Sequence, residues 1–166
     1  MWNLARYFRK RYTSKYPERF VQGMDYKELY DDEKYRYEMT ANRVVWTKLT
    51  TFTVCHEFFS LSCDGRLTIF KGYRSDGPSG LTVDTPSFMR SAFTHDVFFQ
   101  MLREWLFGDL TEAEFQAIFK LANQELQRLS CEDGMMWPRH YIVESAVQQF
   151  GEKHARPTQH TGTITK

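Results

Sequence analysis

The sequence lacks a charge excess, a disulfide pattern and a long apolar run. Its 22 basic and 21 acidic side chains leave a formal net charge of +1, so no global field attracts nucleic acid or an anionic membrane. Cys55, Cys63 and Cys131 cannot all pair and show no C-x-x-C spacing, which excludes a disulfide framework and a zinc knuckle. No apolar run approaches the roughly 20 residues of a membrane span. Charged residues lie near the N-terminus, where a signal peptide would have its apolar core. We therefore expect a protein of the cytoplasm with no membrane span.

Aromatic side chains are abundant, with 14 Phe, 9 Tyr and 4 Trp in 166 residues. Each buries a large area, and such residues also serve recognition surfaces. The length suits one ordinary domain with a sizeable core. We expect an irregular, basic and aromatic arm over residues 1–40, a single domain over 41–151, and a tail over 152–166. The tail has almost no apolar content, which predicts a flexible or partner-binding segment.

Basic side chains are concentrated in the expected arm, where aromatic residues are interleaved with them. Such a run can neutralise phosphates while its rings stack on bases, so single-stranded nucleic acid and a membrane surface are both possible ligands. The alternative is a solvated arm that docks on another protein, because acidic residues at 31–33 soon cancel the charge. The basic side chains are Arg6, Arg9, Lys10 and Arg11.

The residues after the arm have the composition of β-strands. Residues 44–54 are mostly β-branched or aromatic, which predicts one strand. Two further runs, 57–62 and 66–73, meet at Asp64-Gly65, a pair that supplies the positive backbone angles of a tight hairpin. We expect a small antiparallel sheet that contains this hairpin.

Helical patterns follow the strands. An acceptor side chain before Pro86 predicts a helix start, and the pattern continues to Phe107 with Gly108 as its stop. Thr111 and Glu114 predict a capping box at the start of a second helix, and the short connection makes the two helices antiparallel neighbours.

A third helix is predicted from Pro138 to Gly151, with Ile142 and Val143 on its inward face. The predicted fold class is therefore α+β. A small antiparallel sheet or hairpin is followed by an antiparallel packing of two to three helices.

A polar cluster stands out on the first predicted helix. His95 lies in the middle of an apolar stripe and Asp96 lies beside it, just downstream of a polar loop over 75–80. Asp76 or Asp84 with Asp96 could form an oxygen-rich site for calcium or another divalent metal, leaving His95 to activate water. The alternatives are a hydrogen-bonded core histidine and a loop whose Asp and Ser side chains bind their own backbone. Adjacent helical side chains diverge by about 100°, so Asp96 and His95 each need their own partner.

An ordered set of motifs runs through this region. A strand ends in glycine-aromatic, a loop reads serine-aspartate-glycine-spacer-serine, and a helix carries an alanine, a histidine-aspartate pair and an aromatic residue. The residues are Gly72, Tyr73, Ser75, Asp76, Gly77, Ser79, Phe88, Arg90, Ala92, His95, Asp96 and Phe99. In this order they resemble a phage- and prophage-associated domain of unknown function. The resemblance covers about residues 57–126.

This resemblance implies a phage protein whose partners are other phage proteins, located in the host cytoplasm during synthesis and then in the virion. It places Ser79 and Arg90 around the polar cluster. The family usually carries an acid before a phenylalanine on the next helix, where this chain has Gln116. Glu112, one turn earlier on the same face, is the candidate substitute for that acid.

The order of loop, His-Asp helix and antiparallel helix is also similar to that of calcium-dependent secreted phospholipases. That analogy gives His95 the role of activating water and Asp96 the role of holding calcium. The disulfides and the glycine-cysteine loop of those enzymes are absent from this sequence.

Three functions follow from these observations. The first is a phage structural or assembly protein that acts through protein–protein contacts, to which the long polar ends are suited. The second is a small metal-assisted hydrolase, with His95 as base and with Asp76 and Asp96 as catalytic residues or metal ligands. The third is an inhibitor of a host protein made during infection.

Overall fold

Two small antiparallel sheets pack against three α-helices in the part of the chain that this computed structural model describes. The structure describes residues 24–30, 32, 34–77, 86–106, 110–135 and 137–156. The α+β class predicted from the sequence is confirmed. Among the described residues, no helix is both long and apolar enough to cross a membrane.

The described strands are short, and they belong to two separate sheets. A three-stranded sheet has the order β1-β2-β7, and a four-stranded sheet has the order β3-β6-β5-β4. All the pairings between neighbouring strands are antiparallel. The strands are β1 (Tyr26–Glu28), β2 (Tyr37–Met39), β3 (Arg43–Trp46), β4 (Val54–Cys55), β5 (Phe59–Leu61), β6 (Arg66–Ile69) and β7 (Arg74–Ser75).

The predicted hairpin is confirmed as β5 and β6, which pair with Leu61 opposite Leu67. Its turn contains Gly65 at a φ of +85°, in the left-handed region. A Cβ atom on Gly65 would lie 2.2 Å from the Thr47 carbonyl oxygen, so both backbone angle and space require glycine here.

The single strand predicted over 44–54 is wrong, because the chain turns between β3 and β4. The Thr47 hydroxyl donates to the Gly65 carbonyl oxygen and accepts the Leu49 N–H, which bends the backbone after β3. Leu49 is thereby turned into the core, where it is fully buried. The β-branched composition correctly indicated β-structure in this segment, but it did not indicate the bend between the two strands.

An irregular segment over the first 40 residues was also expected, and this is wrong for 26–28 and 37–39. These residues form β1 and β2, and Met39 is completely buried in the core. Tyr37 and Met39 face inward while Glu38 faces outward, a period-2 alternation too short to stand out among the surrounding charges. The basic residues Arg6 to Arg11 lie outside the described residues.

The helices are α1 (Pro86–Met101), α2 (Glu112–Glu132) and α3 (Trp137–Ala155). The capping box at Thr111 and Glu114 is confirmed, with each side chain bound to the backbone of the other residue. The predicted antiparallel pairing of α1 and α2 is also present. Its matched pairs run in opposite chain directions: Ser91 with Ser130, His95 with Asn123, and Phe99 with Phe119.

Helix ends differ from the predictions in two places. The α-helical part of α1 ends at Met101 and continues as a π-helix over Leu102–Leu106, whereas α-helix was expected to Phe107. Helix α3 does not stop at Gly151 but continues to Ala155. The flexible or partner-binding tail expected from residue 152 is therefore wrong for 152–155, where Ala155 joins the core; the expected tail over 157–166 lies outside the described residues. A Cβ on Gly151 would lie 3.3 Å from the Phe99 ring, so this glycine permits close packing of α3 on α1.

The inward face of α3 also differs from the prediction. Val143 is buried as expected, but Ile142 is 51% exposed and the shared inward face is wrong for it. The main core lies between the sheets and the helices. It contains residues from both sheets, from α1 and α2, and from the end of α3.

Candidate functional site

The polar cluster forms where strand β7 ends beside the middle of α1. The Ser75 hydroxyl donates to the Asp96 carboxyl group and accepts the N–H of Gly77 at 2.8 Å. Gly77 has a φ of +73°, and a Cβ atom there would lie 2.4 Å from the Tyr37 ring. The chain therefore turns sharply after Ser75, and this side chain fastens the turn to the helix.

Asp76 and Asp96 are brought together, as the sequence led us to expect for a carboxylate pair. Burial and the neighbouring charge of Asp76 raise the pKa of Asp96 to about 8. A hydrogen bond to Asp76 acts in the same direction, while the Ser75 hydroxyl and the charge of Arg103 oppose it. Asp96 therefore holds its proton at neutral pH and can donate it in a hydrogen bond to Asp76.

Tyr73 extends the buried side of this cluster. It lies next to β7 and is almost completely buried. Burial and the charge of Asp96 raise the pKa of Tyr73 well above its usual value. The surroundings of Asp96 therefore disfavour a second negative charge.

His95 faces a different neighbour from Asp96. Its Nε2 atom lies 3.0 Å from the Oδ1 atom of Asn123 on α2, and its ring packs on Phe99 with a centroid distance of 3.9 Å. Burial lowers the pKa of His95 to about 4, against the weaker opposing effect of the Asn123 bond. The imidazole is therefore neutral at pH 7, and because the Asn123 oxygen accepts, Nε2 carries the proton.

The structure thus separates two residues that are adjacent in the sequence. Asp96 is bound to β7, and His95 is bound to α2, as the divergence of adjacent helical side chains predicted. The sequence patterns did not single out Asn123. It is one of three buried polar residues on α2, with Glu125 and Ser130, and an antiparallel alignment of the two helices could have matched it to His95.

Arg90 was expected around the polar loop, but its contacts fasten two helices together. Its guanidinium is 3% exposed and donates to Asp133 at 3.0 Å and to Glu132 at 3.1 Å, beside the end of α2. Glu132 also accepts from Arg128, whose guanidinium reaches the carbonyl oxygen of Trp46 on β3. This ionic network joins α1, α2 and the four-stranded sheet.

Gln116 and Glu112 lie on the exposed side of α2, and their contacts lead to α3. The Gln116 amide donates to Glu112 at 2.9 Å and to Glu152 at 3.1 Å, and Arg156 binds both carboxylates. The expectation that Glu112 replaces a missing acid beside His95 and Asp96 is therefore wrong. Both side chains fasten the end of α3.

The predicted metal ligands Asp76 and Asp96 supply two carboxyl groups. Within the ranges that the structure describes, no group of three or more His, Cys, Asp or Glu side chains could hold a metal ion. The remaining loop candidates, Ser79 and Asp84, lie outside those ranges. A pair of carboxyl groups that binds a shared proton is the chemistry that the described atoms support.

Comparisons with known proteins do not assign a function to this chain. No protein-family model, curated protein or solved structure matches the chain. A function has to be argued from the residues themselves.

Proposed function

We propose that this chain is a phage structural or assembly protein that acts through protein–protein contacts, in the host cytoplasm and then in the virion. The observation that supports this proposal most is that His95 and Asp96 bind other residues of the fold. Both side chains are bound inside the fold, one to Asn123 and the other to Ser75. The phage context rests on the sequence resemblance of the motifs between Gly72 and Phe99.

The environment of His95 argues against its use as a general base. A base must come within hydrogen-bond reach of its substrate, or of one intervening water. The Nε2 atom of His95 is bound to Asn123, and the ring is buried against Phe99. A pKa of about 4 also makes the imidazole a weak base at neutral pH.

Large side chains on the surface favour a binding function. Tyr30 is 86% exposed, and Tyr141 and Ile142 are exposed beside each other on α3. Tyrosine and arginine are enriched among residues that dominate binding energies at protein interfaces. Tyr30 lines a wide, open depression of the surface together with Lys27, Glu28, Leu29, Asp32 and Arg74.

Complementation of a phage that lacks this gene tests the proposal. Asp96→Asn keeps the shape of the side chain and can still bind Ser75, so it should support particle formation at the wild-type yield. Tyr30→Asp and Ile142→Asp change the exposed surface and should lower that yield while the isolated variants stay folded by circular dichroism. Loss of particles with a folded Asp96→Asn protein would instead indicate that the carboxyl group does chemistry.

A hydrolase is the second candidate, because one observation favours it. Asp96, with its pKa raised to about 8, lies beside the exposed Asp76, and such a pair can give and take a proton near neutral pH. In this candidate the carboxyl pair replaces His95 as the acid–base group. Calorimetric titration with calcium, magnesium and zinc tests its metal-assisted form, which requires saturable binding that Asp96→Asn abolishes.

A further inference from the structure

The end of α3 is attached to α2 by a cluster of charges. Arg156 donates to Glu112 on α2, with its Nη1 atom 3.2 Å from the carboxylate, and its Nε atom donates to Glu152 at 3.0 Å. One guanidinium therefore bridges two carboxylates from different helices. The side chains of Glu112, Glu152 and Arg156 are 63%, 45% and 32% exposed, so dissolved ions can reach all three.

Gln116 completes this cluster, and its chemistry suits the place. Its amide donates to both Glu112 and Glu152. An acid at this position would put a third negative charge around one arginine. The amide instead adds two hydrogen bonds and no charge.

An aromatic row lies under this part of α3. The guanidinium of Arg156 lies 4.4 Å from the ring centroid of Phe115, which stacks on Phe119 at 6.3 Å. Phe119 in turn contacts Phe99 at 5.6 Å. All three rings are buried, with Gly151 packed against two of them.

The last turn of α3 has little apolar attachment of its own. In residues 152–156 the one apolar side chain is that of Ala155, which is fully buried. Further attachments include the Arg156 cluster and a bond of 2.8 Å from Arg103 to the His154 carbonyl oxygen. Both involve exposed, charged groups, whereas the preceding part of the helix is held by buried residues such as Val143 and Gly151.

We propose that residues 152–156 form a salt-sensitive strap, whose release from α2 uncovers Phe115, the ring of the aromatic row that Arg156 covers. Ions weaken the attraction of Arg156 for the two carboxylates, because exposed charges are screened over about 8 Å at physiological ionic strength. Without Arg156 the interaction between α2 and the end of α3 becomes repulsive, because Glu112 and Glu152 carry the same charge. The strap is released by local unfolding while the sheets stay folded. This inference does not depend on the proposed assembly function.

Hydrogen exchange of the full-length protein, read by mass spectrometry, tests the strap. In the wild type, amides of residues 153–156 should exchange faster in 0.5 M than in 0.02 M sodium chloride, by about threefold or more. Arg156→Gln should accelerate them about tenfold at low salt and reverse the salt dependence, because added ions then screen the repulsion between Glu112 and Glu152. The double variant Glu112→Gln with Arg156→Gln should exchange more slowly than Arg156→Gln alone, because the repulsion between the carboxylates is removed.

Two comparisons make the result decisive. Lys27→Gln removes one cation from an exposed pair with Glu38 on the three-stranded sheet and should leave exchange at 153–156 unchanged. Amides of β6 report unfolding of the whole domain. The proposal is overturned if exchange at 153–156 fails to respond to salt, if it fails to respond to Arg156→Gln, or if β6 accelerates by the same factor.

Discussion

His95 and Asp96 are adjacent on α1, yet their environments move their pKa values in opposite directions. His95 faces α2 and its pKa falls to about 4, while Asp96 faces β7 and its pKa rises to about 8. Burial is the largest cause in both cases, because it disfavours the charged form of either group. Both side chains are therefore uncharged between about pH 4 and pH 8.

These shifts have opposite consequences for the free energy of unfolding. The lowered pKa of His95 means that its contribution is complete above the unfolded pKa of 6.5 and is lost as the pH falls toward 4. The raised pKa of Asp96 means that its contribution is complete below the unfolded pKa of 3.8 and is lost as the pH rises through 8. The two contributions oppose each other between pH 4 and 6.5, and between 6.5 and 8 only that of Asp96 changes.

Removing the partner of His95 should have the largest destabilising effect. Asn123→Leu leaves the buried Nε2–H without an acceptor and should lower the free energy of unfolding by about 3 kcal/mol. Urea denaturation at pH 7 measures this. The double variant His95→Leu with Asn123→Leu replaces both polar groups and should recover most of the loss, so an equally unstable double variant would contradict the account.

Removing the charge on the other side of the helix should stabilise the protein at high pH. Asp96→Asn has no carboxyl group to ionise, and its free energy of unfolding at pH 8.5 should exceed that of the wild type, because the wild type has by then lost the contribution of its protonated carboxyl group. At pH 4.5, where Asp96 is already protonated, the two proteins should differ little. Thermal unfolding across this pH range measures the difference, and a variant destabilised at pH 8.5 would show that Asp96 is ionised in the fold.

The smallest effect is expected from the hydroxyl that joins Asp96 to β7. Ser75→Ala removes one hydrogen bond to the carboxyl group and one from the Gly77 N–H. The loss should be about 1 kcal/mol, again by urea denaturation. Ser145→Ala serves as a matched control, because this hydroxyl binds only the Tyr141 carbonyl oxygen on an exposed face of α3, and its removal should cost less.

Local features of the fold could be predicted from the sequence, because their causes are local. The hairpin depends on Asp64-Gly65, and the start of α2 depends on Thr111 and Glu114, all within a few residues of the structure that they specify. Gly151 misled the prediction because glycine suits both a helix end and a close helix contact. Only the packing against Phe99 distinguishes the two.

The partners of the site residues could not be predicted in the same way. His95 binds a residue 28 positions away, and Asp96 binds one 21 positions away. The sequence identified both residues as polar groups in need of partners, and it placed Asp76 near Asp96. It did not identify Asn123, and it named Ser75 in the polar loop without pairing it with Asp96, because the alignment of α1 with α2 and with β7 is a property of the packed fold.

A titration by nuclear magnetic resonance tests the central claim, that His95 and Asp96 are uncharged groups bound within the fold, most directly. Side-chain carbon and nitrogen signals of the full-length protein would be followed from pH 4.5 to 9. The account predicts that His95 stays neutral with a protonated Nε2 down to about pH 5, and that Asp96 titrates near pH 8. A His95 signal that titrates near 6.5 together with an Asp96 signal near 4 would contradict it, because such values belong to groups open to solvent.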